Sequence, residues 1–209
     1  YNGLALLDRC LPSIVAAAER SEARVRVAVL DNRSTDASRA YVAANHPSVE
    51  WADAPENRVL CSYNAYAASV PEEVLIFLNN DMSVDPGFVD PLLRVFAEHE
   101  DAFFAAPKTV NFYTGEYEGC RSKLEVRRGL PWGTARFKGY EAGVDSDGIT
   151  LQTGFGAFRR RTFIELGGYD ALYLPGTVED ADLCFRAWRQ GWRGYYRPAS
   201  RVQHMGQAS

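Results

Sequence analysis

Leu4, Leu7, Leu11 and Ile14 recur at three- and four-residue steps, the spacing of one helix face, and residues 16–19 continue it. Pro12 falls inside that pattern, where it removes a hydrogen bond and bends a helix. Residues 25–30 form a β-branched run that stops at Asp31-Asn32-Arg33-Ser34-Thr35-Asp36. Small polar residues of that kind open a helix, here predicted over 37–44. A strand over 49–52 and a helix over 62–69 follow. Residues 74–78, Val-Leu-Ile-Phe-Leu, are the most strand-like in the chain and end in Asn79-Asn80-Asp81. Asp85-Pro86-Gly87 predicts a further helix, with an aspartate cap and proline in the first turn. Residues 102–108 predict another buried strand.

From 111 to about 150 the periodicity fails, and irregular structure or an insertion is expected. Between 120 and 138 six basic residues (Arg121, Lys123, Arg127, Arg128, Arg136, Lys138) stand against Glu125 alone. Such a segment is either a solvated loop or a patch that attracts an anionic acceptor near a membrane surface. Order returns with a strand over 151–159, a helical turn over 162–166, Gly167-Gly168-Tyr169-Asp170, and a helix over 179–190. Short strands over 193–196 and 201–203 lead to His204. Strands alternating with helices predict an α/β domain with a mostly parallel sheet and helices on both faces. Ligands of such sheets bind outside the carboxyl ends of strands, where Asp31 and Asn79-Asn80-Asp81 both lie.

The 209 residues are 46% hydrophobic and 24% charged, the balance of a globular chain, so one domain over 1–209 is expected. A net charge of −4 argues against a nucleic-acid binder. No apolar run approaches the roughly 20 residues that span a bilayer. Cys10, Cys61, Cys120 and Cys184 are scattered without a C-x-x-C pair, which predicts reduced thiols in a cytoplasmic protein.

Three acidic clusters and one histidine carry candidate chemistry. Asp31 can accept hydrogen bonds from a nucleobase or ribose, and it can equally shape a turn. Asp81, flanked by amides, suits Mg²⁺ or Mn²⁺, ions that take few protein ligands when substrate phosphates supply the rest. It also fits a plain polar turn. In Glu179-Asp180-x-Asp182, Asp180 can act as a general base, or Thr177-x-x-Asp180 can cap a helix. His204 is a ligand or a structural histidine.

The order of these clusters resembles that in glycosyltransferase family 2, inverting nucleotide-sugar enzymes of the GT-A fold. Tyr1-Asn2-Gly3 looks like the end of that family's opening strand motif, and 29–36 is similar to its D-N-x-S-x-D turn. Phe77-Leu78-Asn79-Asn80-Asp81 stands where the family carries its D-x-D metal motif. Gly154-Phe155-Gly156 and Gly167-Gly168-Tyr169-Asp170 resemble its acceptor-side strand and loop. The segment 179–186 looks like the E-D-x-D-L-x-x-R helix, and Pro198 with His204-Met205-Gly206 completes the pattern. The resemblance is to bacterial rhamnosyltransferase-like members of that family.

The resemblance implies roles. Tyr1 stacks on the nucleobase, Asp31 hydrogen-bonds it, and Asn57 or Arg58 assists. Asn79 and Asn80 lie along the donor, with Asn80 at the ribose. Asp81 binds Mn²⁺ or Mg²⁺, His204 is a second ligand, and Asp180 is the general base. The donor is a UDP- or dTDP-linked sugar and the acceptor a glycan or lipid-linked hydroxyl, reached in the cytoplasm or by peripheral contact with the inner membrane face. Residues 1–110 form the nucleotide-binding half and 111–209 the acceptor half. Asn79 replaces the first acid of D-x-D, and the Q-x-x-R-W motif of processive synthases is absent, so transfer of one or a few sugars is expected. The family's first strand belongs between the strands ending at Asp31 and Asp81, so residues before Tyr1 are expected to supply it. Two alternatives remain: an inactive GT-A domain that only binds nucleotide-sugar, and a sugar-phosphate nucleotidylyltransferase.

Overall fold

A computed structural model of the chain describes residues 1–127, 130–134, 137–176 and 178–206, without the side chains of 124–127 and 130–133. Helix α1 (Leu4–Arg20) carries Pro12 and buries Leu7, Cys10, Leu11 and Ala17, so its predicted apolar face is the one that packs. Leu7 and Leu11 meet Val42 of α2 (Ser38–Asn45). The other end of that face, at Ala17, meets Val84, Phe88 and Leu92. Each fully buried leucine of this kind contributes about 1.5–3 kcal/mol.

β1 (Ala28–Asp31) begins three residues later than the apolar run and pairs in parallel with β2 (Glu50–Asp53). α3 (Ser62–Ser69) leads to β3 (Val74–Phe77), then β4 (Met82–Val84). α4 (Val89–Glu98) starts later than the Asp85-Pro86-Gly87 signal predicts. The carboxylate of Asp85 accepts from Gln203 Nε2 at 3.3 Å, and the Phe88 N–H closes a turn on the Asp85 carbonyl at 3.0 Å. A tertiary contact thus takes the group that would have capped the helix.

β5 (Ala102–Asn111) is the central strand and is almost wholly buried. The segment expected to be irregular contains β6 (Tyr117–Gly119), a hairpin of β7 (Lys123–Arg127) and β8 (Leu130–Thr134), and β9 (Gly148–Thr150). β6 pairs with β5 and β9 with a strand more than 40 residues later, pairings that no local periodicity announces. β10 (Gly156–Arg159) is shorter than the predicted 151–159 because residues 151–155 bend before it. α5 (Arg160–Glu165) and α6 (Glu179–Arg189) follow. The two short strands predicted at the end are one strand, β11 (Arg193–His204), with a register shift between Arg197 and Arg201 around Pro198.

The main sheet runs β3-β10-β5-β11-β4, with β6 and β9 added beside β5 and β11. β5 and β11 are parallel, and β10 runs antiparallel to both β3 and β5, so β3, β5 and β11 share one direction. The parallel character lies in these strands and in β1–β2, while β10, β4, β6 and β9 are returns between them. An aromatic cluster of Phe77, Phe103, Phe104, Phe158, Phe163 and Tyr169 fills the core on one side of the sheet. β1 and β3 are not hydrogen-bonded to each other, and an apolar cavity lies between them. All four cysteines are free thiols.

Candidate active site

The shared direction of β3 and β11 brings Asp81 and His204 to one end of the sheet, and Asp31 sits at the corresponding end of β1. They open on the polar end of the same cavity, about 740 Å³ in all, whose inner part is the apolar slot between β1 and β3. Tyr1, Asp31, Asn79, Asn80, Asp81, Glu179 and His204 all lie in its wall.

The first residues are stitched to the turn after β1. The Asn2 N–H donates to Ser34 Oγ at 2.8 Å, and Thr35 N–H donates to Asn2 Oδ1 at 2.8 Å. Leu4 N–H donates to Asp36 at 3.1 Å, which helps hold that carboxyl below its usual range, chiefly through the Ser38 hydrogen bond. Tyr1 is thereby placed at the cavity mouth, 63% exposed. Asp31 is buried and accepts from Ser34 N–H at 2.9 Å, so the turn-shaping and cavity-lining readings of this residue are both realised. Gly3 packs so closely on the Asn80 amide that a Cβ there would collide with it.

Asn57 and Arg58 fall outside the cavity wall, contrary to their expected place beside a donor. The Asn57 side chain accepts from Val59 N–H at 3.2 Å, and Arg58 pairs with Glu56 at 3.3 Å on the surface. Their neighbours Val59 and Leu60 line the cavity instead.

Asp81 is 6% exposed. Its Oδ2 lies 3.2 Å from His204 Nε2, its Oδ1 is buried with no hydrogen-bond partner, and its carbonyl accepts from Met205 N–H at 3.0 Å. A buried carboxylate oxygen without a partner is unfavourable unless a cation completes it. Two adjacent ligands of an octahedral ion with bonds of about 2.1 Å stand about 3.0 Å apart, close to the spacing found here. One carboxylate and one imidazole suit Mn²⁺ or Mg²⁺ with phosphate oxygens as further ligands. Among the described residues no group of three or more His, Cys, Asp or Glu surrounds one point, so any ion here keeps open positions. The residues therefore fit a divalent metal.

His204 Nδ1 lies 3.0 Å from Glu118 Oε2. With a carboxylate at each ring nitrogen, the imidazolium is favoured and the pKa rises to about 9, mainly through the bond to Asp81. Glu118 carries no sequence signal of its own: it sits on the unforeseen β6, and His204 is 86 residues away.

At the start of α6 the two acids part. Glu179 is buried and lines the cavity. Asp180 does not line it and turns toward Gly154, where an added Cβ would stand 3.2 Å from its Oδ2. The Ala181 N–H donates to Asp180 Oδ1 at 2.8 Å. Burial pushes the Asp180 carboxyl above its ordinary range, and the charge of Glu179 adds to the shift. Asp182 serves structure: it pairs with Arg186 at 2.8 Å, and Arg186 donates to the Leu166 carbonyl and, at 2.7 Å, to that of Gly168. Asn64 clasps the backbone of Tyr169 through both its amide atoms, at 2.8 and 2.9 Å. Thr177, the other half of the predicted capping box, lies outside the described residues.

In the basic segment, Arg121 donates to the Gly143 carbonyl and Lys123 Nζ stands 4.3 Å over the Phe137 ring. Both charges are used within the fold. Arg128, Arg136 and the side chain of Arg127 lie outside the described residues.

A family model described as "Glycosyl transferase family 2" matches residues 1–167. A curated relative, Polypeptide N-acetylgalactosaminyltransferase 3 of Drosophila melanogaster, is 26% identical over 149 residues, 66% of this chain and 22% of its own length. Among solved structures, GalNAc-T7 with UDP, GalNAc and Mn²⁺ superposes with a TM-score of 0.73 at 17% identity, covering 96% of this chain and 41% of that one. S. aureus TarS residues 1–349 in complex with UDP gives 0.65 at 15% identity, covering 96% and 57%. The chain thus spans about a fifth of the curated relative and roughly half of each structural neighbour.

Proposed function

Because the chain belongs to glycosyl transferase family 2 and has the GT-A fold, we propose that it transfers a sugar from a nucleoside-diphosphate sugar to an acceptor hydroxyl. The carrying observation is the unpartnered, buried Oδ1 of Asp81 beside His204, in a cavity that Asp31 and Tyr1 also line. Two structural neighbours were solved with UDP, one of them with Mn²⁺, which supports UDP as the first donor nucleotide to test and dTDP as the second.

In this reading Asp31 accepts from the nucleobase, the Tyr1 ring stacks on it, and Asn79 and Asn80 orient the ribose and diphosphate. Asp81 and His204 hold the Mn²⁺ or Mg²⁺ ion. When bound, the ion offsets the charge that builds on the departing diphosphate. Asp180 takes the acceptor proton, the freed oxygen attacks the anomeric carbon, and the nucleoside diphosphate leaves from the opposite face with inversion. The raised proton affinity that burial gives Asp180 suits that task. Glu179 is the second candidate for the base because it, and not Asp180, lines the donor cavity.

The acceptor is a hydroxyl of a glycan or of a lipid-linked glycan, and one or a few sugars are added. Free thiols at all four cysteines support a reducing, cytoplasmic setting. Among the described residues no helix is long and apolar enough to cross a membrane; a lipid-linked acceptor would be reached by peripheral contact. Transfer or hydrolysis of UDP- and dTDP-sugars with Mn²⁺, compared between D180N and E179Q, tests the reading. Loss in D180N alone assigns the base to Asp180, loss in E179Q alone assigns it to Glu179, and an inactive wild type that still binds nucleotide contradicts the transferase.

A further inference from the structure

Glu118 stands outside the roles assigned above, yet it is the residue that reaches His204 from behind. Its two carboxylate oxygens are both engaged. Oε1 accepts from Asn111 Nδ2 at 2.8 Å, and Oε2 lies 3.0 Å from His204 Nδ1. Asn111 closes β5, Glu118 sits in β6 where the β5–β6 register shifts, and His204 closes β11 opposite Asn111. Three neighbouring strands thus hold a line of side chains, Asn111–Glu118–His204–Asp81, that ends at the unpartnered Oδ1.

A carboxylate facing a ring nitrogen can only accept, so Nδ1 carries a proton. Asp81 faces Nε2 in the same way, so the ring carries a proton there too until a cation takes its place; Nδ1 then keeps its hydrogen on Glu118 and the Nε2 lone pair faces the ion. Half-buried and bonded on both oxygens, Glu118 also fixes the plane of that ring. We propose that Glu118 is a positioning residue for the divalent-ion site: it selects the Nδ1–H tautomer of His204 and aims Nε2 at the ion shared with Asp81. The inference rests on the metal-ligand reading of Asp81 and His204. Outer partners of ligating histidines typically change metal affinity 10–100-fold when removed.

The test is calorimetric titration of MnCl₂ into the protein with saturating UDP, for wild type, E118A, E118D and E118Q, beside a thermal melt of each. Glutamine still accepts from Nδ1–H without a charge, whereas aspartate keeps the charge and draws it back by one methylene. E118A is expected to bind Mn²⁺ 10–100-fold more weakly than wild type, as loss of an outer-shell partner does. E118Q stays within about tenfold of wild type on the same scale, and E118D falls between the two. UDP affinity without metal stays the same in all four. Wild-type affinity in E118A overturns the proposal, and so does a loss in E118Q as large as that in E118A. If E118A does not melt cooperatively, the E118D–E118Q order decides: weaker binding by E118D supports the positioning role and weaker binding by E118Q overturns it. A wild type that binds no Mn²⁺ overturns the metal-ligand reading itself, and is told apart from the other failures because no variant is needed to see it.

Discussion

Around the cavity, side chains converge on open space. Asp31, Asn80 and Asp81 stand in the wall of one cavity, and Asp81 keeps a buried oxygen unpaired. Away from it, polar groups are turned on one another. Arg186 spans Asp182 and the Gly168 carbonyl, Asn64 clasps Tyr169, and Arg197 bridges Asp147 at 2.7 Å and Glu98 at 2.5 Å. The difference follows from architecture. Strand ends on a packed sheet hold polar atoms rigidly without needing them as partners, so they remain free for a ligand. Loops such as 166–176 have few sheet hydrogen bonds and use side chains to satisfy the backbone. Asp180 lies between these regimes, on a rigid helix start but desolvated against Gly154.

The sharpest way to break this comparison is D180N. Loss of a general base lowers the transfer rate by about 10²–10⁴-fold, whereas nucleotide affinity, set at the cavity wall around Asp31, stays constant. A matching fall in UDP affinity would erase the division between the two regions. The same variant sharpens it through stability. The Asp180 carboxyl titrates above its unfolded value, so its stabilising contribution is complete below the ordinary carboxyl value of 3.8 and is lost as pH rises through the folded pKa. The melting temperature of D180N should therefore equal that of wild type in acid and exceed it near neutrality. Differential scanning calorimetry across pH reads this directly.

Second in size, D31A removes an acceptor from the donor wall. One lost hydrogen bond to a charged group corresponds to about 1.5–3 kcal/mol, or roughly 10–100-fold in UDP affinity. Mn²⁺ affinity measured without nucleotide should not move. Third, G156A tests the sheet beneath both regions. Gly156 has φ of +119°, and a Cβ there would stand 2.5 Å from the Ala105 carbonyl oxygen, so urea unfolding should show a loss of about 1–3 kcal/mol or more. Smallest is E165A, which removes the exposed Arg161–Glu165 pair and should change stability by less than about 0.5 kcal/mol.

The two regions also differ in how far the sequence discloses them. Residues 28–31 and 74–81 are local patterns, an apolar run and the polar residues that stop it, and strand-end geometry follows from the run alone. His204 is legible for the same reason. β6 and β9 are not, because three-residue strands are held by β5 and β11 rather than by their own periodicity. Glu118 is hidden with them. The displaced start of α4 has the same origin, since Gln203, 118 residues away, takes the Asp85 side chain that would have capped it. Asn57 and Arg58 show the converse: the residues a motif points to stand off the cavity wall, and Val59, next in the chain, lines it. Glu179 and Asp180 are adjacent in sequence, and only the turn of α6 sends one into the cavity and the other to Gly154.

The central claim is that Asp81 and His204 hold a divalent ion that gathers a nucleoside diphosphate against the wall around Asp31. Titration calorimetry of UDP into the protein, in EDTA and in MnCl₂, tests it most directly. The account predicts Mn²⁺-dependent tightening in wild type that D81N abolishes, by more than the roughly 10–100-fold associated with an outer-shell partner. Equal UDP affinity in EDTA and MnCl₂, or tightening that survives D81N, would contradict it.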